Sequence, residues 1–127
     1  METKRRICSY AEGSGESPAA EFISHLDHKL QKKIHLQLRQ LENPLFSLQP
    51  PHVKAFRQSR RKGFYELRTR IRQAVRIIFV LGENGEIILL HGFIKKSGRA
   101  TERALETARA RQLALAAGTA SIQEFTF

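Results

Sequence analysis

Apolar positions recur along this chain at two periods. Between Pro18 and Glu42, the residues Phe22, Leu26, Leu30, Ile34, Leu38 and Leu41 fall at the spacing of one helical face. Ser17-Pro18 supplies the start, with serine as N-cap and proline at the first helical position, where its missing N–H costs nothing. Asp27 is placed to cap a second helix, so the pattern predicts one kinked helix or two, stopped by Asn43-Pro44. Residues 43–55 hold three prolines and read as a loop. From Phe64 the period becomes two. In FYELRTRI, Tyr65, Leu67, Thr69 and Ile71 alternate with Glu66, Arg68 and Arg70, as in a half-buried strand. AVRIIFVL reads as a second strand, Gly82-Glu83-Asn84-Gly85 as a hairpin turn and EIILLHGFI as a third strand. A mixed helix over about 100–117 follows, with Ala104, Leu105, Ala108 and Leu115 as its apolar stripe. KRRICSY near the start reads as a short strand, and residues 119–127 as a tail. Short links between the later strands imply antiparallel pairing. The fold class is therefore α+β: a small antiparallel sheet on N-terminal helices, closed by a C-terminal helix.

Size and charge narrow the class. A chain of 127 residues with 41% hydrophobic residues suits one soluble domain with a real core. Its 22 Lys and Arg stand against 12 Asp and Glu, a net charge of +10, which favours nucleic acid, an anionic membrane surface or an acidic protein partner. The single cysteine, Cys8, excludes an internal disulfide, fits a reducing compartment and reads as an inert core residue. Neither a signal peptide nor a membrane-length apolar run is visible, so the expected location is the cytoplasm.

Three basic groups stand out. Arg57, Arg60, Arg61 and Lys62 lie in FRQSRRKG, which also reads as a solvated loop. Arg68, Arg70 and Arg76 lie on the polar side of the strand pair. Arg76 shares its side with Ala74, Ile78 and Val80, so it needs water, a carboxylate such as Glu66, or a ligand. Lys95, Lys96 and Arg99 precede a helix, where the helix dipole disfavours cations unless they are solvated or an anion sits among them. The five histidines show no metal-ligand spacing, and neither a phosphate-binding glycine loop, a serine nucleophile elbow nor an RNA-stacking motif is present. No metal or cofactor is expected.

GESPAAEFISHLD, PPHVKAF, FYELRTR with VRIIFVL, and above all LLHGFIKKSGR resemble the HigB-like, phage-derived group of the RelE/ParE superfamily of type II toxins. The resemblance covers residues 4–117 and implies a toxin domain over 1–118, followed by a tail over 119–127. It implies a RelE-like fold and a ribosome-dependent endoribonuclease that cleaves mRNA without a metal. The ribose 2′-OH would attack the adjacent phosphate. Carried onto this chain, the catalytic residues are Arg68, Arg76, Lys95 and Lys96, with Glu66 and His91 as candidate acid or base. Arg57, Arg60, Arg61, Lys62, Arg70 and Arg99 are the expected RNA-binding residues. The implied partners are mRNA on the ribosome and an acidic, helix-turn-helix antitoxin in a hetero-oligomer, with no membrane. The chain departs from the family pattern in three places. Arg72-Gln73 stands where many members carry glycines, and Ala100-Thr101 where many have Thr-Pro, which leaves Thr101 as an alternative N-cap. No aromatic lies between Phe93 and Phe125, so a catalytic tyrosine in the last helix is not transferred. Two other readings stand beside this one: a gyrase-inhibiting toxin, which needs no convergent Arg/Lys site, and a non-catalytic nucleic-acid-binding module with steep salt dependence.

Overall fold

A computed structural model describes residues 3–58 and 60–127. In chain order the elements are β1 (Ile7–Ala11), α1 (Pro18–Ser24), α2 (His28–Leu41), β2 (Val53–Ala55), β3 (Phe64–Ile71), β4 (Gln73–Leu81), β5 (Ile87–Ile94), α3 (Gly98–Ala117) and β6 (Ser121–Glu124). The helical stretch is two helices. Proline opens α1, and the Asp27 side chain accepts from the Leu30 N–H at 3.0 Å to start α2. Leu30, Ile34, Leu38 and Leu41 form the buried face of α2.

The α+β class is as expected, but the sheet is larger. Six strands run in the order β2-β3-β4-β5-β1-β6, and β1 lies parallel to β5, so the sheet is mixed rather than a small antiparallel one. Two segments change status. Residues 53–55, within the expected loop, pair with β3 as an edge strand. The expected tail is not a tail: Ser121–Glu124 pairs antiparallel with β1, and Phe125 is buried in the core. Pairing by β6 satisfies backbone groups that β1 would otherwise leave open as a sheet edge.

Each face of the sheet carries its own core. One buries Leu67, Val75, Ile77, Phe79 and Leu89 beneath α1 and α2. The other buries Phe64, Ile78, Val80, Ile88 and Leu90 beneath Ala104, Leu105 and Ala108 of α3. Gly92 is where α1 meets β5: a Cβ there would collide with the Phe22 ring. Any larger residue in the HGF motif forces α1 away from the sheet.

The last helix begins at Gly98, two residues before its expected start, with Ser97 as the N-cap residue. Thr101 lies inside it and is not its cap; the Thr101 hydroxyl is buried without a hydrogen-bond partner. Gly118, in the left-handed region at φ 76°, ends the helix and turns the chain into β6.

Candidate functional site

Strand pairing brings the central residues together. Arg68 and Arg76 are direct cross-strand partners, and Arg76 also lies in register with Phe93 of β5. The Lys95 N–H donates to the Ala74 carbonyl at 2.8 Å, which extends the ladder by one step on the same face. Glu66, Arg68, Arg76, Phe93 and Lys95 therefore occupy the α3 side of the sheet, as strand parity requires.

Glu66 organises the pair. Its side chain is 1% exposed, and Oε1 accepts from Arg68 Nε at 3.2 Å while lying 3.4 Å from Arg76 Nε. Arg76 Nη1 donates to the Val75 carbonyl at 3.2 Å. Both guanidiniums thus share one carboxylate oxygen. Glu66 Oε2 and Arg76 Nε are buried without a hydrogen-bond partner. Burial pushes the Arg76 pKa down. Glu66 opposes that shift, and Arg68 and Arg70 reinforce it. Two cations and one anion leave the cluster positive and incompletely satisfied, the condition that an incoming phosphate would relieve. The ion pair with Glu66, an alternative reading of Arg76, is present; the same carboxylate also orients Arg68.

The other expected residues sort by position. Lys95 is half-buried, whereas Lys96, Arg99 and Arg70 are exposed. Arg57, Arg60 and Lys62 are exposed in the loop before β3, and Arg61 pairs with Glu102 of α3. That loop and α3 border a groove of about 760 Å³ that includes Phe64, Leu105 and Arg109. The loop adjoins the start of β3; Arg68 lies four residues along that strand, roughly 13 Å away, and Arg70 six residues along, roughly 20 Å away. The FRQSRRKG cations thus lie at the start of β3 and the arginine pair further along the same strand.

His91 is re-aimed by an irregularity. Ile78 pairs with His91 but Phe79 pairs with Leu89, so Leu90 is an extra residue and both Leu90 and His91 face α3. Strict alternation would have put His91 under α1. Its ring stacks on Phe93 with centroids 5.9 Å apart, and Nδ1 lies 3.1 Å from Arg111 Nη1. Burial, with Arg111 adding to it, pushes the His91 pKa down to about 4. The imidazole is neutral at neutral pH and able to accept a proton. Because the folded value lies below the ordinary 6.5, the unfolded chain takes up the proton first as pH falls. Stability should be fully present above pH 6.5 and decline toward pH 4. His35 is shifted in the same direction by burial, so the parent must be compared with a single variant. His91→Gln should flatten that decline in chemical denaturation measured across the interval; an unchanged slope would count against the buried, neutral imidazole.

Arg111 and Phe93 were not anticipated as parts of this region. The signal for Arg111 was available, since it continues the stripe of Ala104 and Ala108 one turn further along α3. Among the described residues no group of three or more His, Cys, Asp or Glu is placed to hold a metal ion, and no helix is long and apolar enough to cross a membrane.

A comparison with curated proteins finds no match. A family model described as "Phage derived protein Gp49-like (DUF891)" matches residues 21–113, well over half of the chain. The matched span holds the whole arginine cluster, His91 and the GFIKK segment, and leaves out β1 and β6. On that match, the chain belongs to the Gp49-like family of phage-derived proteins.

Proposed function

We propose that the protein is the toxin of a type II toxin–antitoxin system with a RelE-like fold, and that it cleaves mRNA on the ribosome. The observation that carries this reading is the Arg68–Arg76 pair, held by one buried carboxylate and left net positive beside Lys95. In the proposed reaction the ribose 2′-oxygen forms a bond to the adjacent phosphorus and the P–O5′ bond breaks. The products are a cyclic phosphate and a 5′-hydroxyl. Arg68 and Arg76 would bind the non-bridging oxygens, where negative charge grows in the transition state. Glu66 acts first as a positioning residue for both guanidiniums. Glu66 and neutral His91 are the candidate groups to receive the 2′-OH proton. Lys95 or Lys96 would return a proton to the 5′-oxygen. Phe93, half-exposed beside Arg76, offers a ring on which a base could stack.

Membership of the Gp49-like family supports a toxin role, and the charge of +10 suits capture by an acidic antitoxin. Induced expression with and without the neighbouring reading frame, combined with mapping of mRNA 5′ ends, tests the reading. Growth arrest with new 5′ ends inside reading frames is the expected result. Growth arrest with intact mRNA and inhibited gyrase would replace it with the gyrase reading. Replacing Lys95 and Lys96 together by Ala should abolish growth arrest with the melting temperature unchanged or slightly raised, because relieving like-charge repulsion between solvent-accessible cations is worth about a few tenths of a kcal/mol. A double variant as toxic as the parent removes these lysines from the site.

A further inference from the structure

The outer edge of β5 is only partly covered. β1 pairs with it at Ile87, Ile88 and Leu89, and the extra residue Leu90 follows. Because the Lys95 N–H donates to the Ala74 carbonyl, antiparallel parity turns the backbone groups of Phe93 and His91 toward β4 and those of Gly92 and Ile94 outward. Among the described residues no strand pairs with β5 on that side of Gly92 and Ile94. Both residues line an open cleft of about 500 Å³ instead.

The walls of the cleft come from both faces of the sheet. On the α1 side the Phe22 ring packs so closely on Gly92 that a Cβ there would collide with it, and Leu26 lines the same wall. Half-buried Ile94 belongs to neither core. From the α3 side Arg111 reaches the cleft beside His91. Its Nη1 donates to the Leu90 carbonyl at 2.7 Å, and its guanidinium carbon stands 5.6 Å from the centre of the Tyr10 ring. Arg111 is half-buried yet forms no ion pair; the ion pairs among the described residues involve Arg39, Arg61, Arg68 and Arg76. Burial pushes its pKa down, which Tyr10 and Glu12 oppose. A guanidinium held in place, partly desolvated and without a carboxylate is completed by a bound anion.

The lining selects that anion. Arg111 is the one Lys or Arg in it, and exposed Glu21 also borders the cleft, so a single negative charge fits better than a doubly charged phosphate. Phe22, Leu26 and Ile94 call for an apolar body. Outward backbone groups at Gly92 and Ile94 alone make too short a ladder for an added strand. An apolar cavity of this size with a few convergent polar groups is the usual form of a small-molecule site. We infer that the cleft at the C-terminal end of β5 binds a small monocarboxylate with an aromatic or branched apolar body. The carboxylate lies on the fork of Arg111 and the body against Phe22, Leu26 and Ile94. This site meets the proposed cleavage site only at His91, and it stands whether or not the protein cuts mRNA.

The test is a titration of the full chain with hydrocinnamate, a phenyl ring on a short chain ending in a carboxylate, followed by backbone amide NMR resonances. Saturable shifts at Gly92 and Ile94 are expected, with a dissociation constant of about 1 mM for so small a probe. Hydrocinnamamide, uncharged and of the same shape, should bind the parent roughly 10-fold more weakly. That comparison needs no variant, so it does not depend on a substitution being tolerated. Arg111→Gln keeps an N–H for the Leu90 carbonyl and should weaken the acid by a similar factor while leaving the amide unchanged. Absence of saturable shifts at Gly92 and Ile94 would overturn the inference, as would equal binding of acid and amide. Displacement of hydrocinnamate by inorganic phosphate at the same concentration would make the cleft a phosphate subsite and also end it. An acidic peptide that shifts the same amides at lower concentration than hydrocinnamate would assign the cleft to a protein partner, against the inference.

Discussion

Arg76→Gln is expected to lower the rate of mRNA cleavage on ribosomes by about 10²–10³-fold, the usual consequence of removing one charge-stabilising donor from a developing oxyanion. The fold should survive. Arg68 Nε still donates to Glu66 Oε1 after the change, so the buried carboxylate keeps a cationic partner. A loss of roughly 1–3 kcal/mol in stability follows from a weakened buried charged interaction rather than an abandoned one. The competing explanation is that Arg76 is only the structural partner of Glu66. Adding Glu66→Gln separates the two. The double variant removes one charge of each sign and should recover part of the missing stability. If cleavage recovers with it, the pair is structural and the assignment fails. If stability recovers and cleavage does not, the loss of cleavage does not follow from the loss of stability. Arg76→Lys gives a further check, since it keeps the charge but loses the planar fork and should remain well below the parent.

The parts of this site that could be read in the sequence are those set by local periodicity. Strand parity in FYELRTRI and AVRIIFVL placed Glu66, Arg68 and Arg76 on one face, and the ladder pairs Arg68 with Arg76 directly. Ser17-Pro18 and Asp27 marked two helix starts for the same local reason, with proline opening α1 and the Asp27 carboxylate accepting from Leu30. What escaped depends on partners distant in the chain or on a broken period. The extra residue at Leu90 reverses the side on which His91 emerges, and nothing in IILLHGFI announces it. The parallel pairing of β1 with β5 is a choice among strand orders that no local pattern decides.

Those distant choices make the C-terminal segment the most consequential difference between pattern and fold, and Phe125→Ala should show it. Phe125 is 9% exposed, packs with the core beneath α2, and anchors an aromatic group there. Its ring stacks on Phe127 at 5.5 Å and meets His35 edge-on at 6.4 Å, while the Arg39 guanidinium sits 4.1 Å over Phe127. Its N–H donates to the Ile7 carbonyl at 2.8 Å, which fastens β6 to β1. Truncation to Ala removes a ring near the edge of the core, so a cost of about 3 kcal/mol is expected, at the low end for buried phenylalanines. Removing residues 119–127 altogether should cost more, because β1 would become an open edge and the face of α2 around His35 would be uncovered. The shortened chain should melt well below the parent and self-associate through β1. A segment that is only a tail predicts instead that both changes leave the melting curve where it was. Chemical denaturation of the two variants beside the parent decides between them, and unchanged midpoints would mean that β6 contributes nothing to the fold.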